Sequence, residues 1–258
     1  MLDRITPLIL TWNEEANIAR TLEKLRWACE VVVLDSGSTD GTHSICDAFP
    51  NVRVVVRPFD SHATQWNFGL TETGIVSEWV LALDADYVLT DAFINELRSL
   101  LPAQSIAGYR MRFHYCVYGR PLSGTLYPPV TGLYRRDAAH YVQDGHTQRV
   151  VVKGEVGEMG AFVLHDDRKP LGRWLGAQDR YAQLECDLLA TRSWSELRWQ
   201  DRLRKLMFVT PWLVPIYCLT VGKGFKDGWH GLFYAVQRGV AEAVLSLKLL
   251  EKKLGGER

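Results

Sequence analysis

The stretch Val31-Val32-Val33-Leu34-Asp35-Ser36-Gly37-Ser38-Thr39-Asp40-Gly41-Thr42 joins a β-branched apolar run to a carboxylate and a polar turn. A helix-like segment through Cys46 follows, with Ser38 to Gly41 offering its cap. A strand buried on both faces reads as a continuous apolar run, so this is a strand-turn-helix unit of a parallel sheet. Working outward, the unit recurs. Thr6–Thr11 leads into Trp12-Asn13-Glu14-Glu15, where Asn13 is placed to cap a helix beginning near Glu14. Val52–Val56 is a third run, and Trp79–Leu83 a fourth that ends in Asp84-Ala85-Asp86. Right-handed crossovers are the default for such a series.

From about Ile106 to His165 the pattern changes to short alternating segments broken by Gly and Pro, which extend the same sheet with mixed strands. Beyond Pro170 apolar residues fall at helical spacing over Trp174–Thr191, Leu197–Phe208 and Trp229–Leu254. The expected architecture is α/β: a mixed, mainly parallel sheet flanked by helices, with a helical C-terminal extension. The expected boundary puts a sheet domain at 1–168, divided into halves 1–100 and 101–168, before a helical 169–258. Thirty Lys+Arg against thirty Asp+Glu exclude a bulk cationic surface, so nucleic acid is not an expected partner. Five scattered cysteines without a CxxC pair argue against a disulfide framework or zinc ribbon. The opening MLDRITPLIL lacks the order of a signal peptide, so a cytoplasmic location is expected.

Chemistry concentrates where the strands end. Asp84 and Asp86 leave one strand one residue apart, at the edge where open α/β sheets bind ligands. Paired Asp oxygens suit Mg²⁺ or Mn²⁺, which in turn bind a diphosphate. A lone Asp-x-Asp is equally a solvated turn, and capping explains each polar cluster taken singly. Three clusters on one edge are harder to explain that way.

The series LTWNEEANI, VVVLDSGSTDGT and WVLALDADY resembles the inverting nucleotide-sugar glycosyltransferases of family 2, which have the GT-A (Rossmann-like) fold. Leu164-His165-Asp166-Asp167, the Trp174–Tyr181 segment and Lys223–Gly228 are similar to the bacterial lipopolysaccharide-core glucosyltransferase branch. The resemblance implies roles. Thr11, Trp12 and Glu14 would line the base pocket, Asp35 would contact base or ribose, and Asp40 would hold the following turn. Asp84 would face ribose and metal, and Asp86 would be the firmest ligand of a divalent cation, with His165 a third. Two departures stand out: Ser36 where many relatives have a second Asp, and Tyr87 where many in this branch have Glu.

Inverting transfer needs a general base for the acceptor hydroxyl. Asp144 and Asp166 are the candidates, each His nearby being as readily structural. Asn67 could orient Asp84 or Asp86, and Arg135-Arg136 could bind a phosphate or simply end a strand. Met207–Val221 is an uncharged run of fifteen residues containing Pro211 and Pro215, too short to span a bilayer. From Arg198 to Arg258 there are eleven Lys/Arg and five Asp/Glu, an excess of six. An apolar segment rimmed by cations suits peripheral contact with the inner face of the plasma membrane, against a packed core helix or dimer face. The expected activity is metal-dependent transfer from a nucleotide-sugar donor (a UDP-sugar) to a lipid-linked or cell-envelope glycan acceptor. A polyprenyl-phosphate sugar synthase is the nearest alternative; a sugar nucleotidylyltransferase and a non-catalytic membrane scaffold are remoter ones.

Overall fold

The computed structural model describes residues 1–144 and 147–255, with the side chains of 144 and 147 excepted. Four apolar runs form β1 (Ile5–Thr11), β2 (Val31–Asp35), β3 (Val52–Val56) and β4 (Trp79–Asp84), all parallel and within a residue of their sequence positions. Between them lie α1 (Ile18–Glu23), α2 (Thr42–Cys46) and α3 (His62–Thr71). The chain continues through β5 (Tyr87–Leu89), α4 (Asp91–Ser99), β6 (Ile106–Val117), a two-residue β7 (Arg120–Pro121), β8 (Val130–Arg135), β9 (Ala139–Asp144), β10 (Thr147–Val152) and β11 (Glu155–His165). The main sheet runs β3-β2-β1-β4-β8-β6-β11-β5.

Alternation along the strands fills a core on each face. Ile9, Val33, Leu81 and Leu83 point to one side, toward Ile18, Leu22, Phe93 and Leu97 of α1 and α4. Leu8, Val32, Leu34, Val80 and Ala82 point to the other, toward Trp66 and Leu70 of α3. Helix α3 lies close on β1: a Cβ at Gly69 would stand 2.7 Å from Leu8 Cδ2. Strands β9 and β10 form a two-stranded sheet of their own rather than extending the main one. Asn67 of α3 explains this by pairing with the Tyr141 backbone through both amide atoms, at 2.8 and 2.9 Å, while Trp66 stacks on the Tyr141 ring. The expected Asn67 contact with Asp84 or Asp86 is therefore replaced by a link between α3 and β9.

One local expectation is corrected, and the cap expected within Ser38–Gly41 is found. Asn13 does not cap a helix near Glu14; α1 begins at Ile18, and Asn13 sits in a turn with φ +55°. Helix α2 has Gly41 as its cap, and the side-chain contact comes from Asp40 one residue earlier, whose Oδ1 accepts from the Thr42 amide at 3.1 Å.

The chain divides into two compact units. One holds Met1–Gly119 with Tyr127–Arg168, the other Arg120–Leu126 with Lys169 onward. The short segment joins the second unit because Asp227 accepts from both the Ser123 amide and hydroxyl, at 2.8 and 2.7 Å, and the Tyr234 hydroxyl accepts from the Leu126 amide. The second unit contains α5 (Leu171–Thr191), α6 (Trp199–Lys205), α7 (Thr210–Leu219) and α8 (Trp229–Gly255). Its small apolar core gathers Ala182, Cys186, Leu189, Leu197 and Leu245. Beside that core Arg204 holds Glu242 at 2.9 Å, Glu185 at 3.5 Å and Asp201 at 3.6 Å. Burial opposes the Arg204 charge, but these carboxylates outweigh it and raise its pKa. Among the described residues no helix is long and apolar enough to cross a membrane.

Candidate active site

Register assembles the site. Thr11 lies opposite Asp35 and Leu10 opposite Asp84, so β2, β1 and β4 deliver their last residues to one edge of the sheet. With strands about 4.8 Å apart, Asp35 and Asp84 stand about 10 Å apart across β1. A nucleoside diphosphate covers that span. Strand β11, parallel to β6, ends on the same unit with His165 opposite Tyr115, and the Asp166 amide donates to the Asp86 carbonyl at 3.0 Å.

The loops after β1 and β2 are laced into one platform. The Asn13 amide donates to Ser38 Oγ at 2.6 Å, and Asn13 Oδ1 accepts from the Thr39 amide at 2.7 Å. The Glu14 amide donates to Thr42 Oγ1, the Glu15 amide to Asp40, and Glu15 Oε2 accepts from the Gly41 amide. Trp12 projects from this platform, 49% exposed, while Thr11 below it is buried. Glu14 is tied back toward α1 by Asn17, whose side-chain Nδ2 donates to Glu14 Oε2 at 2.7 Å.

Asp35 is fully buried, and its oxygens are committed to its own loop. Oδ2 accepts from the Gly37 and Ser38 amides at 2.9 and 2.8 Å and lies 2.9 Å from His43 Nε2; Oδ1 accepts from Ser38 Oγ. Burial alone would raise its pKa, but the bonds from Ser38, His43 and Gly37 together hold it below the ordinary carboxylate value. These bonds suit Asp35 to positioning its own turn, beside the expected contact with base or ribose. The carboxylate shapes the turn that the ligand would meet.

Asp84 ends β4, half-buried, and Asp86 follows in the turn to β5, buried. Asp86 Oδ2 lies 3.3 Å from His165 Nε2. Burial disfavours charge on His165, yet Asp86, Asp84 and Asp167 outweigh it and raise its pKa. Tyr87, Tyr115 and Tyr127 ring the imidazole edge-on at 5.2, 4.9 and 4.8 Å. The Tyr87 hydroxyl bonds that of Tyr127, so a buried aromatic contact fills the place where Glu was the commoner residue.

These groups suit a divalent cation. Ligand atoms about 2.1 Å from an octahedral ion lie about 3 Å apart, close to the Asp86–His165 spacing. Among the described residues no group of three or more His, Cys, Asp or Glu is arranged to hold a metal ion by itself. Mg²⁺, however, is commonly held by one or two carboxylates with substrate phosphates supplying the rest. Thr11 Oγ1 and His165 Nδ1 are buried on this edge without a hydrogen-bond partner, polar atoms that a ligand can satisfy.

The remaining candidates fall elsewhere. Asp166 is buried and boxed: Oδ1 accepts from Arg168 Nε at 2.8 Å and the Gly119 amide at 3.1 Å, and Oδ2 lies 3.6 Å from Arg20 Nε. A carboxylate held by two guanidiniums and an amide locks the exit of β11 to α1. Asn17 completes the lock, binding Asp167 and the Arg168 amide. No local pattern announced Arg20, which lies 146 residues from Asp166. The side chain of Asp144, the other base candidate, lies outside the described residues, as do Gly145 and His146. Arg135 is at the opposite end of β4 from Asp84, opposite Trp79, bonded to Glu78 and lying over the Trp79 ring; Arg136 pairs with Asp137. Neither reaches the edge where a phosphate would lie.

The sheet and its helices define a GT-A fold, and a solved structure agrees. The chain superposes on Staphylococcus aureus TarS 1–349, crystallised with UDP-GlcNAc, with TM-score 0.50 and 13% identity over 99% of this chain and 92% of that one. Sequence carries the relationship further. The chain is 30% identical over 251 residues to the lipopolysaccharide core biosynthesis glycosyltransferase LpsC of Rhizobium meliloti (strain 1021), covering 90% of this chain and 88% of that protein. It is also 34% identical over 103 residues to an uncharacterized glycosyltransferase of Rickettsia bellii (strain RML369-C), covering 40% of this chain and 34% of that one. The Glycosyl transferase family 2 model matches residues 8–139, and the chain belongs to that family.

Proposed function

We propose that the chain transfers a sugar, with inversion, from a UDP-sugar to a lipid-linked or lipopolysaccharide-type glycan acceptor at the cytoplasmic membrane face. The observation that carries the reading is the delivery of Thr11, Asp84, Asp86 and His165 to one edge, with Asp86 and His165 converging at 3.3 Å. Asp84 and Asp86, with His165, would hold Mg²⁺ or Mn²⁺, which when bound neutralises charge developing on a departing diphosphate. The laced loops 11–15 and 35–42 keep the base and ribose end of the site rigid, with Trp12 exposed at its rim as a stacking surface. Thr11 Oγ1 offers a hydroxyl to the ligand from the floor. Ordering these groups before the donor arrives spares entropy at the reacting geometry. Asp144 is assigned the proton of the acceptor hydroxyl, since Asp166 is spent on Arg20 and Arg168. The lipopolysaccharide assignment of the Rhizobium relative supports the acceptor class.

Calorimetry with UDP-sugars in Mn²⁺ and then in a chelator tests this. Metal-dependent binding that Asp84→Asn removes is expected; equal binding in chelator refutes the cation assignment. With a labelled donor and membrane extract, Asp144→Asn should lose turnover while keeping donor affinity.

A further inference from the structure

The helical unit turns an apolar face outward. Phe208, Val209, Trp212, Leu213, Ile216 and Tyr217 are all exposed and repeat at i, i+1, i+4, i+5, i+8 and i+9, which is one stripe along α7 and the turn before it. Helices of globular proteins usually hide that stripe. Here the buried residues of α7 are Thr210 and Cys218. Farther along the chain Phe225 and, at the start of α8, Trp229 are exposed as well; Trp212 is 76% exposed and Trp229 83%. An exposed apolar stripe of six large side chains marks an interaction surface.

Charge selects the partner. Between Lys205 and Arg238 the sequence holds one acidic residue, Asp227, and it is buried with both oxygens on Ser123. Lys223 and Lys226 are exposed past the end of α7. A face of Trp, Phe, Leu and Ile flanked by lysines without an exposed carboxylate matches an anionic headgroup layer. A two-fold pairing with a second copy would instead bring the same lysines together with no acid to receive them. Helix α7 has ten residues and Pro215 within it, about 15 Å of helix against a hydrocarbon layer of about 30 Å, so it can lie on a bilayer but not cross one. Packing on α8 holds it in place: a Cβ at Gly239 would stand 2.6 Å from Pro215 Cγ.

We infer that this face, α7 with the Lys223–Trp229 turn, docks flat on a bilayer surface carrying anionic phospholipid. The inference gives the membrane contact its residues and stands without the sugar-transfer reading, because its test measures binding alone. The test is flotation of the full chain with phosphatidylcholine vesicles and with vesicles of phosphatidylcholine and phosphatidylglycerol. The chain should float with the anionic vesicles and do so less in high salt. W212E/I216E, at exposed positions, should lose at least about tenfold in partitioning while keeping the thermal unfolding midpoint. K223Q/K226Q should lose about thirtyfold for anionic vesicles only. The inference falls if the chain stays in the dense layer with both vesicle types, or if W212E/I216E partitions like the parent. It also falls if sedimentation without lipid shows a dimer that W212E/I216E turns into a monomer, which would assign the face to a second copy.

Discussion

Asp35→Asn should destabilise the sheet unit by about 3 kcal/mol at pH 7, and the size follows from its partners. The amide can turn its NH₂ toward Ser38 Oγ, which is able to accept, and keep its oxygen on the Gly37 and Ser38 amides and His43 Nε2. Geometry survives; charge does not. Hydrogen bonds to a charged group are worth about 1.5–3 kcal/mol against about 0.5–1.5 for neutral ones, so three bonds lose about 1 kcal/mol each. Urea unfolding reads this as a lower midpoint at unchanged slope. The pH dependence supplies a second check. Asp35 has a lowered pKa in the fold, so its contribution is complete above the ordinary carboxylate value and is lost as pH falls through the folded one. The gap between parent and variant should therefore narrow on going from pH 7 to about pH 3. Donor affinity should fall with stability, because the turn carrying Ser36 and Ser38 loosens. A variant as stable as the parent that nevertheless loses all donor binding would refute the positioning role in favour of direct contact.

Three further outcomes are expected. Asp84→Asn should lower turnover by roughly 10²–10³ at a donor concentration that saturates the parent, while the urea midpoint moves little, measured with labelled donor. Arg204→Met should cost about 3–5 kcal/mol in the same unfolding assay, since it strands Glu242 in a buried site. Tyr118 has φ +47° and is 71% exposed, so Tyr118→Val should be less stable than Tyr118→Gly by about 1 kcal/mol, β-branching being poorly tolerated there.

The strands were legible because their cause is local. Residues 31–34 and 79–83 are buried on both faces, which imprints an unbroken apolar run, and the polar residues after them mark where each strand leaves the core. Register then had little freedom, so the shared edge for Asp35 and Asp84 could be anticipated from chain order. What failed locally failed for one reason. Asn13 looks like a cap, but its donors and acceptors are Ser38 and Thr39, about 25 residues away, and they hold the chain out of helix until Ile18. The ion pair of Asp166 with Arg20, from the other end of the unit, has no local signature either.

By itself, then, the sequence determined the alternation of strand and helix, the acidic residues at the strand ends and the family. Tertiary structure alone decided which carboxylates gather at the sheet edge and which are paired with neighbours, why 120–126 groups with the helical unit, and that α7 shows its apolar side. The reason is physical: periodicity and capping act within a few residues, whereas the desolvation and pairing of a charge depend on groups brought together from distant parts of the chain.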